Sequence, residues 1–282
     1  MVKIILKSFA KVNLFLEVLN KRNDGYHNIR TVYQTINLAD DICLEKLDKK
    51  IIIKCDNAKV PSGNKNIVYK AVRKILNYKG ITSGVKIVIR KRIPVASGLG
   101  GGSSNAAVVL NGMNKLYGLN LSFQELSKIA EALGCDVPFF LKGGTALGEG
   151  RGEILTYLTP IKNLYFVLVK DGHKSSTKKV YENFKIKLTK GNIFDKRIRR
   201  FLKGGDVLKI LHNDLEDAAG DISSKVAEIK SRLRGCGSSG SLMSGSGPTV
   251  FGLSSTKQDA YKIYDKIKNE YDWVCISKSI RG

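Results

Sequence analysis

Between Pro94 and Leu110 the chain reads Pro-Val-Ala-Ser-Gly-Leu-Gly-Gly-Gly-Ser-Ser-Asn-Ala-Ala-Val-Val-Leu, its most unusual stretch. Gly98, Gly100, Gly101 and Gly102 allow positive φ and let successive backbone N–H groups turn inward with no Cβ in the way. Such a nest binds anions. The helix expected from about Ser103 adds unpaired N–H groups and the positive end of its dipole, an arrangement that holds nucleotide phosphates. Ser103 and Ser104 could cap that helix or offer hydroxyls to a phosphate or a bound Mg2+ ion. The Walker spacing is missing, and no βαβ unit with an acidic residue about 20 positions on accompanies the glycines, so neither a P-loop nor a dinucleotide fold is indicated. A glycine cluster that bound nothing would carry an entropic cost with no compensation.

Phosphoryl transfer to an alcohol needs the nucleophile in line, charge compensation and often a carboxylate to accept the hydroxyl proton. Asp136 is a candidate for that base. An Asp before Val137-Pro138 equally suits the N-cap of a helix, and the two roles are compatible. Lys11 and Asn13, two residues apart in an apolar run, share one face of an expected strand, where a lone Lys is usually solvent-exposed. Tyr26 and His27 follow Asp24-Gly25, a tight-turn sequence.

The elements that must position these residues belong to a globular chain. Its 282 residues include 48 Lys or Arg and 25 Asp or Glu, a net charge of +23, and are 43% hydrophobic. Disorder, collagen and coiled coil are excluded. No run of about 18 apolar residues occurs, and Lys3, Lys7 and Lys11 interrupt the apolar start, so neither a membrane span nor a signal peptide is expected. Cys43, Cys55, Cys135, Cys236 and Cys275 form no Cys-x-x-Cys pair, which favours reduced thiols in a cytoplasm over zinc. The charge raises nucleic acid as a partner. Yet residues 1–160 carry 24 basic and 12 acidic residues and residues 161–282 carry 24 and 13, so no arm concentrates the excess. Even the stretch from Lys185 to Lys203, with eight basic residues and the one acid Asp195, has aromatics only at Phe194 and Phe201 and reads as a solvated face.

Strands are expected at residues 3–9, 12–19, 31–38, 41–47 and 50–56, with a turn at Asn23-Asp24-Gly25. A helix over 66–78 stops at Gly80, a strand follows over 85–93, and Ser122-Phe-Gln-Glu125 is a capping box opening a helix to Gly134. The pattern restarts at Thr159-Pro160 with a strand over 165–170, helical material from about 176 to 234, a strand over 249–253, a helix over 259–271 and a strand over 273–278. Two α+β domains, 1–160 and 161–282, fit this order better than a doubly wound sheet.

Pro94-x-x-x-Gly-Leu-Gly-Gly-Gly-Ser-Ser104 resembles the phosphate loop of the GHMP kinase superfamily. Ala10-Lys-Val-Asn-Leu-Phe-Leu16, Arg22-Asn-Asp-Gly-Tyr-His27 and Gly134-Cys-Asp-Val-Pro-Phe139 are similar to segments of the branch that phosphorylates a cytidylyl-methylerythritol in the non-mevalonate isoprenoid pathway. Ser244-Gly-Ser-Gly-Pro-Thr249 resembles the superfamily's third motif. The resemblance implies a two-domain α+β GHMP-kinase-like fold, with an N-terminal domain like that of a ribosomal protein, a ferredoxin-like C-terminal domain and an active site in the interdomain cleft. It implies ATP with Mg2+ as a substrate complex, no prosthetic group, no nucleic-acid or membrane partner, and a monomer or homodimer in a bacterial cytoplasm.

By the same resemblance ATP lies on Pro94, Val95, Ala96, Ser97, Gly98, Leu99, Gly100, Gly101, Gly102, Ser103 and Ser104, with Asn66 and Lys91 near adenine and Ser104 toward the metal. Asp136 is then the catalytic base, and Lys11 keeps it ionised and favours the forming alkoxide. Asn13, Tyr26, His27, Thr177 and Tyr181 hold the substrate, an aromatic ring stacking on cytosine and the imidazole meeting its polar edge. Ser176 stands where the family usually has Pro. The rival readings are another GHMP kinase, acting on a mevalonate- or homoserine-like alcohol, and an RNA-binding protein.

Overall fold

Two long strands, β1 (Lys3–Lys21) and β2 (His27–Leu47), are joined by a turn in which Arg22 N donates to Tyr26 O at 2.8 Å. The computed structural model describes residues 2–172, 176–184, 193–202 and 204–281. Four of the five strands expected in this region are these two continuous ones. The polar residues that interrupt the apolar pattern, among them Ser8, Lys11, Asn13 and Asp40, are buried with hydrogen-bond partners and so do not end the pairing.

The chain forms two compact units, one of Met1–Ala10, Leu38–Val95 and Gly100–Gly143, the other of Lys11–Asn37, Ala96–Leu99 and Gly144–Gly282. Compactness and chain order divide the molecule differently, because β1 and β2 each give one half to either unit.

In the first unit β3 (Ile51–Cys55), β4 (Gly84–Arg90), β2 and β1 lie in that order. β4 runs antiparallel to β2, from Asp41 opposite Arg90 to Leu47 opposite Gly84, and parallel to β3. α1 (Ile67–Lys79) starts at the Asn66 cap and stops at Gly80, φ 64°. It packs on α2 (Gly101–Leu116) and α3 (Phe123–Glu131), and α2 in turn on the single turn α4 (Val137–Phe140). Ala71, Ile75, Leu110 and Met113 on the helices and Ile42, Leu44, Ile87 and Ile89 on the strands are all buried. α2 lies so close to the strands that a Cβ on Gly112 would fall 2.9 Å from Leu6 Cδ1. The Ser122–Glu125 capping box forms as expected.

In the second unit β2 pairs with β5 (Thr145–Glu149), which pairs with β6 (Ile154–Tyr157), while β1 pairs in parallel with the two-residue β8 (His212–Asn213). A second sheet is antiparallel, in the order β11 (Trp273–Lys278), β7 (Tyr165–Lys170), β10 (Val250–Ser254), β9 (Gly240–Met243). α7 (Ser223–Gly235) and α8 (Lys257–Ile267) pack on it through Ile229, Leu233, Ile263 and Ile267, over Val167 and Val169. The stretch expected as helical also contains α5 (Thr177–Asn183) and α6 (Ile193–Leu202). In α6, Ile198 is buried while Arg197, Arg199 and Arg200 are exposed, as a solvated basic face requires. Residues 185–192 and Lys203 of the basic stretch lie outside the described residues. No helix among the described residues is long and apolar enough to cross a membrane.

Candidate active site

The second unit buries a chain of polar side chains on β1 and β2. Lys11 and Asn13 are 3% and 2% exposed, against the usual exposure of a strand Lys. Lys11 Nζ donates to Asn13 Oδ1 at 2.6 Å, Asn13 Nδ2 to Thr31 Oγ1 at 2.7 Å, and Thr31 Oγ1 to the carbonyl of Phe15 at 2.7 Å. The Asn13 amide is thus oriented with its oxygen toward the ammonium group and its nitrogen toward Thr31. Lys11 Nζ also lies 5.4 Å from the centre of the Tyr33 ring.

The glycine loop is tied to this strand, since Lys11 N donates to Leu99 O at 3.0 Å. Ala96, Gly98 and Gly100 take φ of 51°, 79° and 70°, whereas Gly101 and Gly102 lie in the first turn of α2. Two of the four glycines thus supply the left-handed backbone, and Ala96 adopts it without being glycine. A Cβ on Gly98 would sit 2.2 Å from Ser244 O. Ser244 Oγ donates to Gly98 O at 3.1 Å and Thr249 N to Ser97 O at 3.2 Å, so the turn at residues 244–249 grips the loop. Gly245 has φ 57°, and a Cβ there would lie 3.2 Å from Asn13 Oδ1 and 3.4 Å from Lys11 Nζ.

That turn is held by residues the sequence reading passed over. Asn213 Nδ2 donates to Met243 O at 2.9 Å and Gly245 O at 2.8 Å, and Glu216 Oε1 accepts from Met243 N at 2.8 Å. Asp214 Oδ2 accepts from Val18 N at 2.9 Å, and its other oxygen is 2.7 Å from His212 Nε2. His212-Asn-Asp-Leu-Glu216 has the composition of a solvated turn. Its one distinguishing signal is that four polar side chains, His212, Asn213, Asp214 and Glu216, surround a buried Leu215 in sequence.

At the tip of the β1–β2 hairpin Tyr26 is 53% exposed. Asp24 shapes the turn, accepting from Tyr26 N at 3.1 Å and from Arg22 Nε at 3.0 Å. The guanidinium of Arg151 lies 5.1 Å from the centre of the Tyr26 ring. His27 stacks on Tyr181 with ring centres 5.4 Å apart and planes at 28°. Burial, and then the charge of Lys21, hold the His27 imidazolium below its ordinary pKa of 6.5, which favours the neutral ring near pH 7. Thr177 Oγ1 is 2.8 Å from Ser246 Oγ, on the gripping turn. Ser176 is the N-cap of α5, accepting from Lys179 N, which gives the residue found in place of the usual Pro a local role.

In the first unit, α2 begins after Gly100 with no side-chain cap. Ser103 and Ser104 therefore do not cap it: the buried Ser104 hydroxyl lies 2.7 Å from Ser8 Oγ, and Ser104 N already bonds to Gly100 O. The α2 N-terminus therefore has no side-chain cap, the kind of helix start that can hold an anion. Asn66 caps α1, accepting from Val68 N and donating to Pro61 O, both at 2.8 Å. Lys91 Nζ pairs with the buried Asp40. Asp136 precedes α4 with φ −81° and ψ −14° and makes no capping hydrogen bond, so the cap reading of this half-buried carboxylate is not realised.

Residues 66–144 match the GHMP kinases N terminal domain and residues 199–272 the GHMP kinases C terminal family. The chain is 43% identical over 279 residues, 98% of each chain, to "4-diphosphocytidyl-2-C-methyl-D-erythritol kinase" of Geobacter metallireducens. It is 44% identical over 260 residues, 92% of each chain, to the protein of the same name from Syntrophus aciditrophicus. A crystal structure of 4-(cytidine 5'-diphospho)-2C-methyl-D-erythritol kinase, 31% identical, superposes with a TM-score of 0.84 over 99% of this chain and 100% of that one. With the glycine loop, its gripping turn and the Lys11–Asn13 pair in place, the chain belongs to the 4-diphosphocytidyl-2-C-methyl-D-erythritol kinase family of two-domain α+β GHMP kinases.

Proposed function

We propose that the protein transfers the γ-phosphoryl group of ATP to the 2-hydroxyl of 4-diphosphocytidyl-2-C-methyl-D-erythritol. The observation that carries this reading is a single hairpin bearing both the buried Lys11–Asn13–Thr31 chain and, at its tip, the aromatic side chains of Tyr26 and of His27, the latter stacked on Tyr181. One part suits charge compensation and the other a planar base. Asp136 accepts the hydroxyl proton. The freed oxygen attacks the γ-phosphorus, the bond from phosphorus to the β–γ bridging oxygen breaks, and its electron pair leaves with ADP. Lys11 supplies positive charge to the forming alkoxide, Asn13 fixes the direction of the ammonium group, and Thr177 and Tyr181 complete the substrate contacts.

ATP's phosphates meet the N–H groups of the loop from Pro94 to Ser104. Lys91 and Asn66 serve the adenine side, each through N–H groups left over from its own structural bond. Mg2+ arrives with ATP as part of the substrate. The Ser104 hydroxyl, which keeps a lone pair while bonded to Ser8, would be the protein oxygen offered to it. The two family matches fall one in each of the spans 1–160 and 161–282, which supports those as the ATP-side and C-terminal domains. A cytoplasmic monomer or homodimer, without nucleic acid, completes the reading; its five cysteines are free thiols.

The test is ADP release by purified Asp136→Asn protein. The expected kcat is lower by about three orders of magnitude with both KM values nearly unchanged, the effect of losing a positioned base. Full turnover by this variant contradicts the mechanism.

A further inference from the structure

The first unit contains a fully buried carboxylate that the phosphoryl-transfer scheme does not use. Asp40, on β2, is 0% exposed. Its Oδ1 accepts from Arg92 N at 2.7 Å and Ile93 N at 2.9 Å; its Oδ2 accepts from Asn105 Nδ2 at 2.8 Å and from the Lys91 ammonium group. A buried charge is tolerated only when paired and saturated with hydrogen bonds, and this one has four donors from two segments. Those segments are the two ends of the glycine loop. Arg92 and Ile93 lead directly into Pro94, and Asn105 stands in the opening turns of α2.

The network extends one step further. Asn105 Nδ2 also donates to Ser8 Oγ at 2.8 Å, and Ser8 Oγ lies 2.7 Å from Ser104 Oγ. Gly101 closes over it, since a Cβ there would stand 2.9 Å from Ile93 Cγ2 and 3.2 Å from Lys91 Nζ. One carboxylate thus sets the distance between loop entry and loop exit, the direction of the Lys91 ammonium group and the orientation of the first turn of α2. We propose that Asp40 is a positioning residue for ATP, acting through Asn105, Ser8 and the backbone of Arg92 and Ile93 rather than by touching the nucleotide. This rests on the kinase reading above, and ATP turnover by the wild-type protein tests that reading separately.

Two variants test the proposal, each assayed well below its own melting temperature. In Asp40→Asn, which keeps the shape but replaces one acceptor and removes the ion pair to Lys91, leaving that ammonium group its longer contact to Asn105 Oδ1, the KM for ATP is expected to rise about tenfold, the loss of one charge-assisted hydrogen bond. The KM for the cytidylyl substrate should stay within about twofold, because an error in the loop is an error in nucleotide placement. Ser8→Ala cuts only the bridge between Asn105 and Ser104. It should melt within a few degrees of wild type and still raise the KM for ATP about threefold, which keeps the question answerable if Asp40→Asn does not fold. A Ser8→Ala protein with wild-type KM for ATP overturns the proposal, as does an Asp40→Asn protein whose two KM values rise together.

Discussion

The base and the tip of the β1–β2 hairpin meet different demands. Lys11 and Asn13 lie where almost no solvent reaches them, every polar atom of the Asn13–Thr31 link assigned a partner at 2.6–2.7 Å. Tyr26, at the tip, is 53% exposed and depends on a local turn held by Asp24. A group that compensates charge on reacting atoms must be fixed in advance and kept dry, so its surroundings form a hydrogen-bond chain. A group that recognises a flat base needs only a surface in the right place, and exposure costs it little. On the proposed roles, stability and turnover are expected to be coupled at Lys11 and separable at Tyr26 and His27.

The strongest way to break this contrast is Lys11→Met. It removes the charge and leaves a buried amide oxygen short of a donor, so kcat should fall about a thousandfold while the protein loses about 1–3 kcal/mol of stability. Steady-state kinetics and thermal melting on the same sample check both; a full loss of kcat with an unchanged melting temperature would separate what is here joined. Next is Gly98→Ala, whose added Cβ meets Ser244 O at 2.2 Å in a backbone with φ 79°. The loop must move, and a displacement of about 1 Å is worth about a hundredfold in kcat/KM for ATP. His27→Ala should be milder, raising the KM for the cytidylyl substrate about tenfold with kcat and melting temperature nearly unchanged, as loss of one aromatic contact allows. A large fall in kcat there would place the tip in the chemistry.

The smallest effect is a pH dependence. His27 titrates below 6.5 in the folded protein, chiefly because it is partly buried, then because of Lys21. Between that lowered value and about 6.5 the unfolded chain binds more protons than the folded one, so stability rises with pH across this window and gains nothing more from His27 above it. Melting temperatures taken from pH 5 to 7 should show a shallower rise in His27→Ala than in wild type.

Much of this was legible in the order of residues. The glycine loop, the shared face of Lys11 and Asn13, and the Asp24-Gly25 turn are local patterns, and each forms. The long strands were less legible, because Ser8, Lys11 and Asp40 look like interruptions until their partners are known. Asp40 is bonded to residues 91–93 and 105, Asn213 to 243 and 245, and Asp214 to Val18. Such roles are defined by groups far along the chain and leave no periodic trace. Asp136 was ambiguous for a different reason: a base and an N-cap use the same residue before the same Pro, and it stands at the N-cap position of α4 without a side-chain capping bond.

The contrast between the two ends of the hairpin comes down to whether the cytidine group is needed for the reaction at all. The direct measurement is ATP-dependent ADP release by the wild-type protein with the cytidylyl-methylerythritol substrate and with free methylerythritol, side by side. Turnover with the first and none above background with the second is the expected result. Equal kcat/KM for the two alcohols, or turnover with neither, contradicts it.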